Sequence, residues 1–114
     1  MLSLDLVRLR HILDAAREAD AFCRARSRED LDTDRMFYHS LVHLLEVIGE
    51  AARAVSRSFR EAHPEIAWRK MVGMRDRLSH GYYGINRDIL WETATQDVPV
   101  LIREIEKTVP PGKP

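Results

Sequence analysis

With 114 residues, 45% of them apolar and 32% charged, the chain has room for one domain with a modest core, which dimerisation would naturally enlarge. A formal net charge of zero excludes a bulk nucleic-acid binder that works by counterion release alone. No apolar run reaches the roughly 18 residues of a membrane span, and Met1-Leu2-Ser3-Leu4-Asp5 does not resemble a signal peptide, so a cytoplasmic protein is expected.

From the N-terminus, Leu2, Leu6, Leu9, Leu13, Ala16, Ala19 and Cys23 recur at threes and fours, the stripe of a first long helix. Cys23 is the only cysteine, which leaves no internal disulfide and no cysteine-based metal cluster. Ser27-Arg28-Glu29-Asp30 reads as a break with the character of a capping box. Phe37, Leu41, Leu44, Ile48, Ala51 and Val55 form the stripe of a second helix, with Thr33 or Asp34 as its N-cap. Gly49 lies inside that helix, where glycine costs about 1 kcal/mol relative to alanine, and close packing of another helix accounts for it.

Ser56 to His63 reads as a short helical turn, and Pro64 suits the first position of a third long helix over about Glu65 to Leu78. That helix carries Ile66, Trp68, Met71, Val72 and Met74 and stops at His80-Gly81. Gly81 to Asn86 is a compact loop. Asn86 or Asp88 opens the last helix, through Leu90, Trp91, Ala94, Leu101, Ile105 and Val109, which Pro99 is expected to kink or divide near Asp97. No segment alternates with period two. The expectation is therefore an all-α protein, an antiparallel bundle of roughly four to five helices. A single domain covers residues 1–109, and the Pro-rich 110–114 forms a flexible tail.

Arg75-Asp76-Arg77-Leu78-Ser79-His80-Gly81-Tyr82 is the segment that carries chemistry. Histidine exchanges protons near neutral pH, and the arginine fork matches phosphate oxygens. Together they suit metal-independent cleavage of RNA through its own 2′-hydroxyl. A five-residue step turns about 140° in one helix, so Arg75 and His80 cooperate only if His80 sits at a frayed end, where Gly81 frees the backbone. Fifteen arginines and five histidines make one Arg-x-x-x-x-His about an even-odds accident; adding the tyrosine lowers that to roughly 2%. Charge is also uneven: from Arg53 to His80 seven lysines and arginines face three acids, either a binding surface or merely a solvated one.

Other candidates are weaker. His39 and His43 are an i, i+4 pair, but Ser40 stands where zinc proteases carry glutamate, so neither a metal nor another cofactor is expected. Glu46 and Glu50 read as surface or network groups, and Trp68 and Trp91 as core or dimer anchors.

Three segments in order then point to a family: Leu45-Glu46-Val47-Ile48-Gly49-Glu50-Ala51-Ala52, His63-Pro64-Glu65-Ile66-Ala67-Trp68, and Gly73 through Tyr83. With Asp88-Ile89-Leu90-Trp91 and Asp97-Val98-Pro99, they resemble the HepT-like branch of the HEPN superfamily. The resemblance implies a homodimeric helical bundle and a ribonuclease toxin of a type VII-like toxin–antitoxin pair. It implies Arg75 and His80 as the catalytic pair, with Asp76 in support. A minimal nucleotidyltransferase antitoxin would add AMP to Tyr82 and silence the RNase. Two alternatives stay open: a non-catalytic nucleotide- or substrate-binding subunit of a nucleotidyltransferase, and a plain dimeric interaction module.

Overall fold

The computed structural model describes residues 3–78 and 84–109, with Ser3 and Arg75 described by backbone alone. Two long helices dominate, α1 (Ser3–Arg24) and α3 (Arg35–Ala54), and they make the largest interface of the fold. They run antiparallel. The start of α1 is tied to the end of α3, where buried Asp5 accepts from Ser56 N at 2.8 Å and from Ser56 Oγ at 2.6 Å. At the other end, the Arg26 guanidinium lies 4.8 Å over the Phe37 ring.

The predicted stripes form the core between these helices. Leu9, Leu13, Ala16, Ala19 and Cys23 are buried on α1, joined by Ile12 and Ala15, while Leu2 lies outside the described residues. On α3, Phe37, Leu41, Leu44, Ile48 and Ala51 are buried, with Leu45 and Ala52. Between the long helices, α2 (Asp30–Thr33) adds Leu31 to the core. The Asp30 carboxylate accepts from Ser27 N at 2.8 Å, the reaching-back half of a capping box. Asp34 caps α3 by accepting from Phe37 N at 3.1 Å.

Cys23 is enclosed in this core. Burial, reinforced by Asp20 and opposed by Arg26, pushes its thiol up to about 11. Against the ordinary value of 9.0, that leaves roughly 100-fold less thiolate at neutral pH. A disulfide reagent is expected to label the folded protein at least that much more slowly than the denatured chain. Equal rates would show that the α1–α3 core opens.

After α3 the chain turns at Ser56, whose Oγ accepts from Phe59 N at 3.2 Å and starts α4 (Arg57–Ala62). The expected long third helix does not form. Residues 63–67 are a turn, and the helical run comes in two pieces, α5 (Trp68–Val72) and α6 (Met74–Leu78). Local bonds explain the late start: Ile66 N donates to His63 O at 3.2 Å, and Trp68 Nε1 donates to the same carbonyl at 2.9 Å. This folding turns Ile66 into the core, and Pro64 sits in the turn rather than at a helix start. Gly73 makes the second break, with φ −84° and ψ 2°, and a Cβ there would meet Arg69 O at 3.1 Å.

The last helical region is divided, as Pro99 requires. It begins at α7 (Arg87–Glu92), capped by Asn86, whose Oδ1 accepts from Asp88 N and Ile89 N at 3.0 and 3.1 Å. A π-helical turn (Thr93–Asp97) follows, then α8 (Val98–Glu106). Pro99 has no N–H for Thr95 O, and its ring crowds that carbonyl, so the preceding turn widens. The chain is thus all-α, with no strand among the described residues, but cut more finely than four or five helices. Among the described residues no helix is long and apolar enough to cross a membrane. The tail 110–114 lies outside the described residues.

Candidate functional site

Arg75 and Asp76 lie in α6, directly after the Gly73 break. This short helix is anchored by buried Met74 and Leu78, while Asp76 is exposed. His80, Gly81, Tyr82 and Tyr83 lie outside the described residues, as does the expected helix stop. Gly84 has φ +117°, a conformation that L side chains rarely adopt. Asn86 N then donates to Leu78 O at 3.0 Å, closing the segment back onto the end of α6.

An ion-pair clamp that sequence reasoning missed holds α6 to the rest of the bundle. Asp97, at the end of the π turn, accepts from Arg77 Nη1 of α6 at 2.6 Å and from Lys70 Nζ of α5 at 3.1 Å. Burial by itself would raise the Asp97 carboxyl. The hydrogen bonds and charges of Arg77 and Lys70 outweigh it, and the group titrates below the ordinary carboxylate value. A lowered folded pKa stabilises above the unfolded value and loses that contribution as pH falls through the folded one. Asp97→Asn is therefore expected to cost about 1 kcal/mol, or roughly 4 °C in Tm, at neutral pH. In a pH series of melting curves the gap between the two proteins should narrow as pH falls past the ordinary carboxylate value of about 3.9 and close only below the lowered folded one. A gap that persists there would rule out the charge pairing as its source.

On the other side of α6 lies an open cleft of about 720 Å³. Its arginines come from three helices: Arg53 from α3, Arg57 and Arg60 from α4, and Arg69 from α5. Trp68, Val72 and Gly73 supply further wall, with Glu61 and Asp76 as its acids. Four of the seven cations counted between Arg53 and His80 thus line one cleft, while Lys70 and Arg77 are held by Asp97. Its sequence signal was the excess of cations between Arg53 and His80.

The remaining candidates are accounted for elsewhere. His39 and His43 are exposed on α3, and no group of three potential metal ligands occurs among the described residues. Glu46 and Glu50 line a second groove, between α1 and α3, with Arg8, His11 and His43. Trp68 is buried with its N–H satisfied, and Trp91 packs edge-on to Phe37 at 6.5 Å between centroids. Trp68 belongs to the core, and half-buried Trp91 packs against it.

Residues 12–108, nearly the whole bundle with the Arg75–Tyr82 segment inside it, match the family described as ribonuclease HepT-like. The chain belongs to the HepT-like ribonuclease family. Among its relatives is the probable ribonuclease HepT of Thermococcus cleftensis, 37% identical over 99 residues, which are 87% of this chain and 90% of that protein. A protein of Methanocaldococcus jannaschii named "putative RNase" is 35% identical over 95 residues, 83% of this chain and 87% of its own. A Caldanaerobacter subterraneus protein of the same description is 35% identical over 99 residues, covering 87% and 88% of the two chains. No solved structure matches.

Proposed function

We propose that this chain is the cytoplasmic toxin of a toxin–antitoxin pair, a metal-independent endoribonuclease in which Arg75 and His80 are the catalytic pair. The observation that carries the reading is the ribonuclease family's match across residues 12–108, which contains the Arg75–Tyr82 segment. A cleft lined by four arginines and by Asp76, the neighbour of Arg75 in sequence, suits a polyanionic substrate.

In this mechanism a His80 ring nitrogen takes the proton of the 2′-hydroxyl, and O2′ attacks the adjacent phosphorus. The bond from phosphorus to the 5′-oxygen breaks, and that oxygen leaves with a proton from a second imidazole. The products are a 2′,3′-cyclic phosphate and a 5′-hydroxyl. Arg75 stabilises the charge that builds on the non-bridging oxygens, and Asp76 holds the pair in position. A homodimer supplies the base and the acid as two copies of His80. The partner antitoxin, a minimal nucleotidyltransferase, transfers AMP from ATP to the Tyr82 hydroxyl oxygen, with pyrophosphate leaving; the added anion blocks RNA by volume and by charge.

Induction of the chain without its partner tests this. The native protein is expected to arrest growth and degrade cellular RNA, whereas folded Arg75→Ala and His80→Ala proteins do neither. If all three behave alike, the catalytic assignment is wrong.

A further inference from the structure

We propose that Arg53, Arg60 and Arg69 form a phosphate subsite that holds the RNA strand next to the scissile bond. The proposal rests on the ribonuclease reading above and specifies where the substrate lies. Its basis is a contrast in how cations are partnered. Arg17, Arg28 and Arg77 are each matched with a carboxylate, at 2.7, 2.7 and 2.6 Å. Within the cleft Arg57 is matched too, with Glu61 at 3.0 Å. Arg53, Arg60 and Arg69 have no carboxylate partner among the described residues, although three helices bring them to one cavity. Arg60 is half-buried, and its Nε is enclosed with no hydrogen-bond acceptor.

Three guanidinium groups lining one cleft without paired carboxylates repel one another. A phosphodiester relieves that repulsion, because its oxygens accept from the planar fork in pairs. The cleft's volume lies within the roughly 300–1,000 Å³ of ligand sites. Trp68 and Val72 add apolar wall to the cleft.

Position supplies the link to catalysis. Gly73 and Asp76 both line the cleft and bracket Arg75 in sequence, so a strand held there passes the catalytic segment. With the chain neutral as a whole, this patch confines the attraction to one face.

The probe is a fluorescent 2′-O-methyl RNA decamer, which lacks the attacking hydroxyl and so reports binding apart from cleavage. Its affinity for the full chain is followed by anisotropy across a salt series. Arg53→Gln/Arg69→Gln changes two exposed positions and leaves half-buried Arg60 in place. It is compared with Arg10→Gln/Arg35→Gln, which removes the same charge at exposed positions outside the cleft.

The cleft variant is expected to bind about tenfold more weakly near 50 mM salt, with a salt slope shallower by about 1.4, or two phosphate contacts on a single strand. The control variant should stay close to the native protein. Equal effects of the two variants, or unchanged binding by the cleft variant, would overturn the subsite and leave the arginines to a protein partner. Cleavage of ordinary RNA is read separately. A native chain that binds the decamer through these arginines but cuts nothing sinks the ribonuclease reading alone. A native chain that cuts RNA while the cleft variant binds normally sinks the subsite alone.

Discussion

Purified Arg75→Ala and His80→Ala proteins are expected to cleave RNA at least 10²-fold more slowly than the native chain while keeping its helical circular dichroism. Proton transfer by a placed imidazole accounts for about 10²–10⁴ in rate. A donor aimed at developing oxyanion charge is worth about 10²–10³. The two losses should not multiply in the double variant, because both groups serve one transition state. If two copies of His80 act as base and acid, the pH–rate profile of the native chain is bell-shaped. A chelator should leave the rate unchanged. A rate that survives His80→Ala, or that collapses with chelator, would place the chemistry elsewhere.

Gly49→Leu should have the second-largest effect, and through packing rather than chemistry. Gly49 is buried on α3, and even a Cβ there would sit 3.1 Å from Met71 O and 3.8 Å from Val72 O of α5. That neighbour is backbone, so a larger side chain has no rotamer that avoids it. Such overpacking costs about 3 kcal/mol. The strain falls between α3 and α5, and α5 leads through Gly73 into α6, so the catalytic segment shifts with it. The expected result is a Tm lower by roughly 10 °C together with reduced cleavage at temperatures where the variant is folded. Gly49→Ala is the milder companion: about 1 kcal/mol of helix propensity opposes the close contact. If Gly49→Leu melts like the native protein, α3 and α5 do not approach as closely as described.

Relief of this kind was partly visible in the sequence. A glycine inside a strongly patterned helix implied a close neighbour, but not which one, since Met71 lies 22 residues further on. The charge excess between Arg53 and His80 was likewise visible as composition. Its gathering into one cleft was not, because Arg53, Arg60 and Arg69 belong to helices whose relative placement depends on the packed core. The Arg75-Asp76 half of the motif lies in α6, inside the segment the sequence singled out. Its His80 and Tyr82 half lies outside the described residues.

The sequence by itself determined the all-α class, the two long helices and the division of the last helix ahead of Pro99, and it narrowed two N-caps to Thr33 or Asp34 and to Asn86 or Asp88, of which Asp34 and Asn86 are the ones used. Each of these depends on neighbours within a turn or two: a side-chain oxygen meeting a free N–H, a missing donor, or apolar residues recurring every 3.6 positions. Only the tertiary structure decided that Glu65–Leu78 breaks into a turn, α5 and α6, that Asp5 joins Ser56, and that Asp97 clamps Lys70 and Arg77. In these cases the local pattern allowed more than one outcome. Burial of Ile66 and pairing across 20 to 51 residues of chain selected among them, and such pairings exist only once the core has closed.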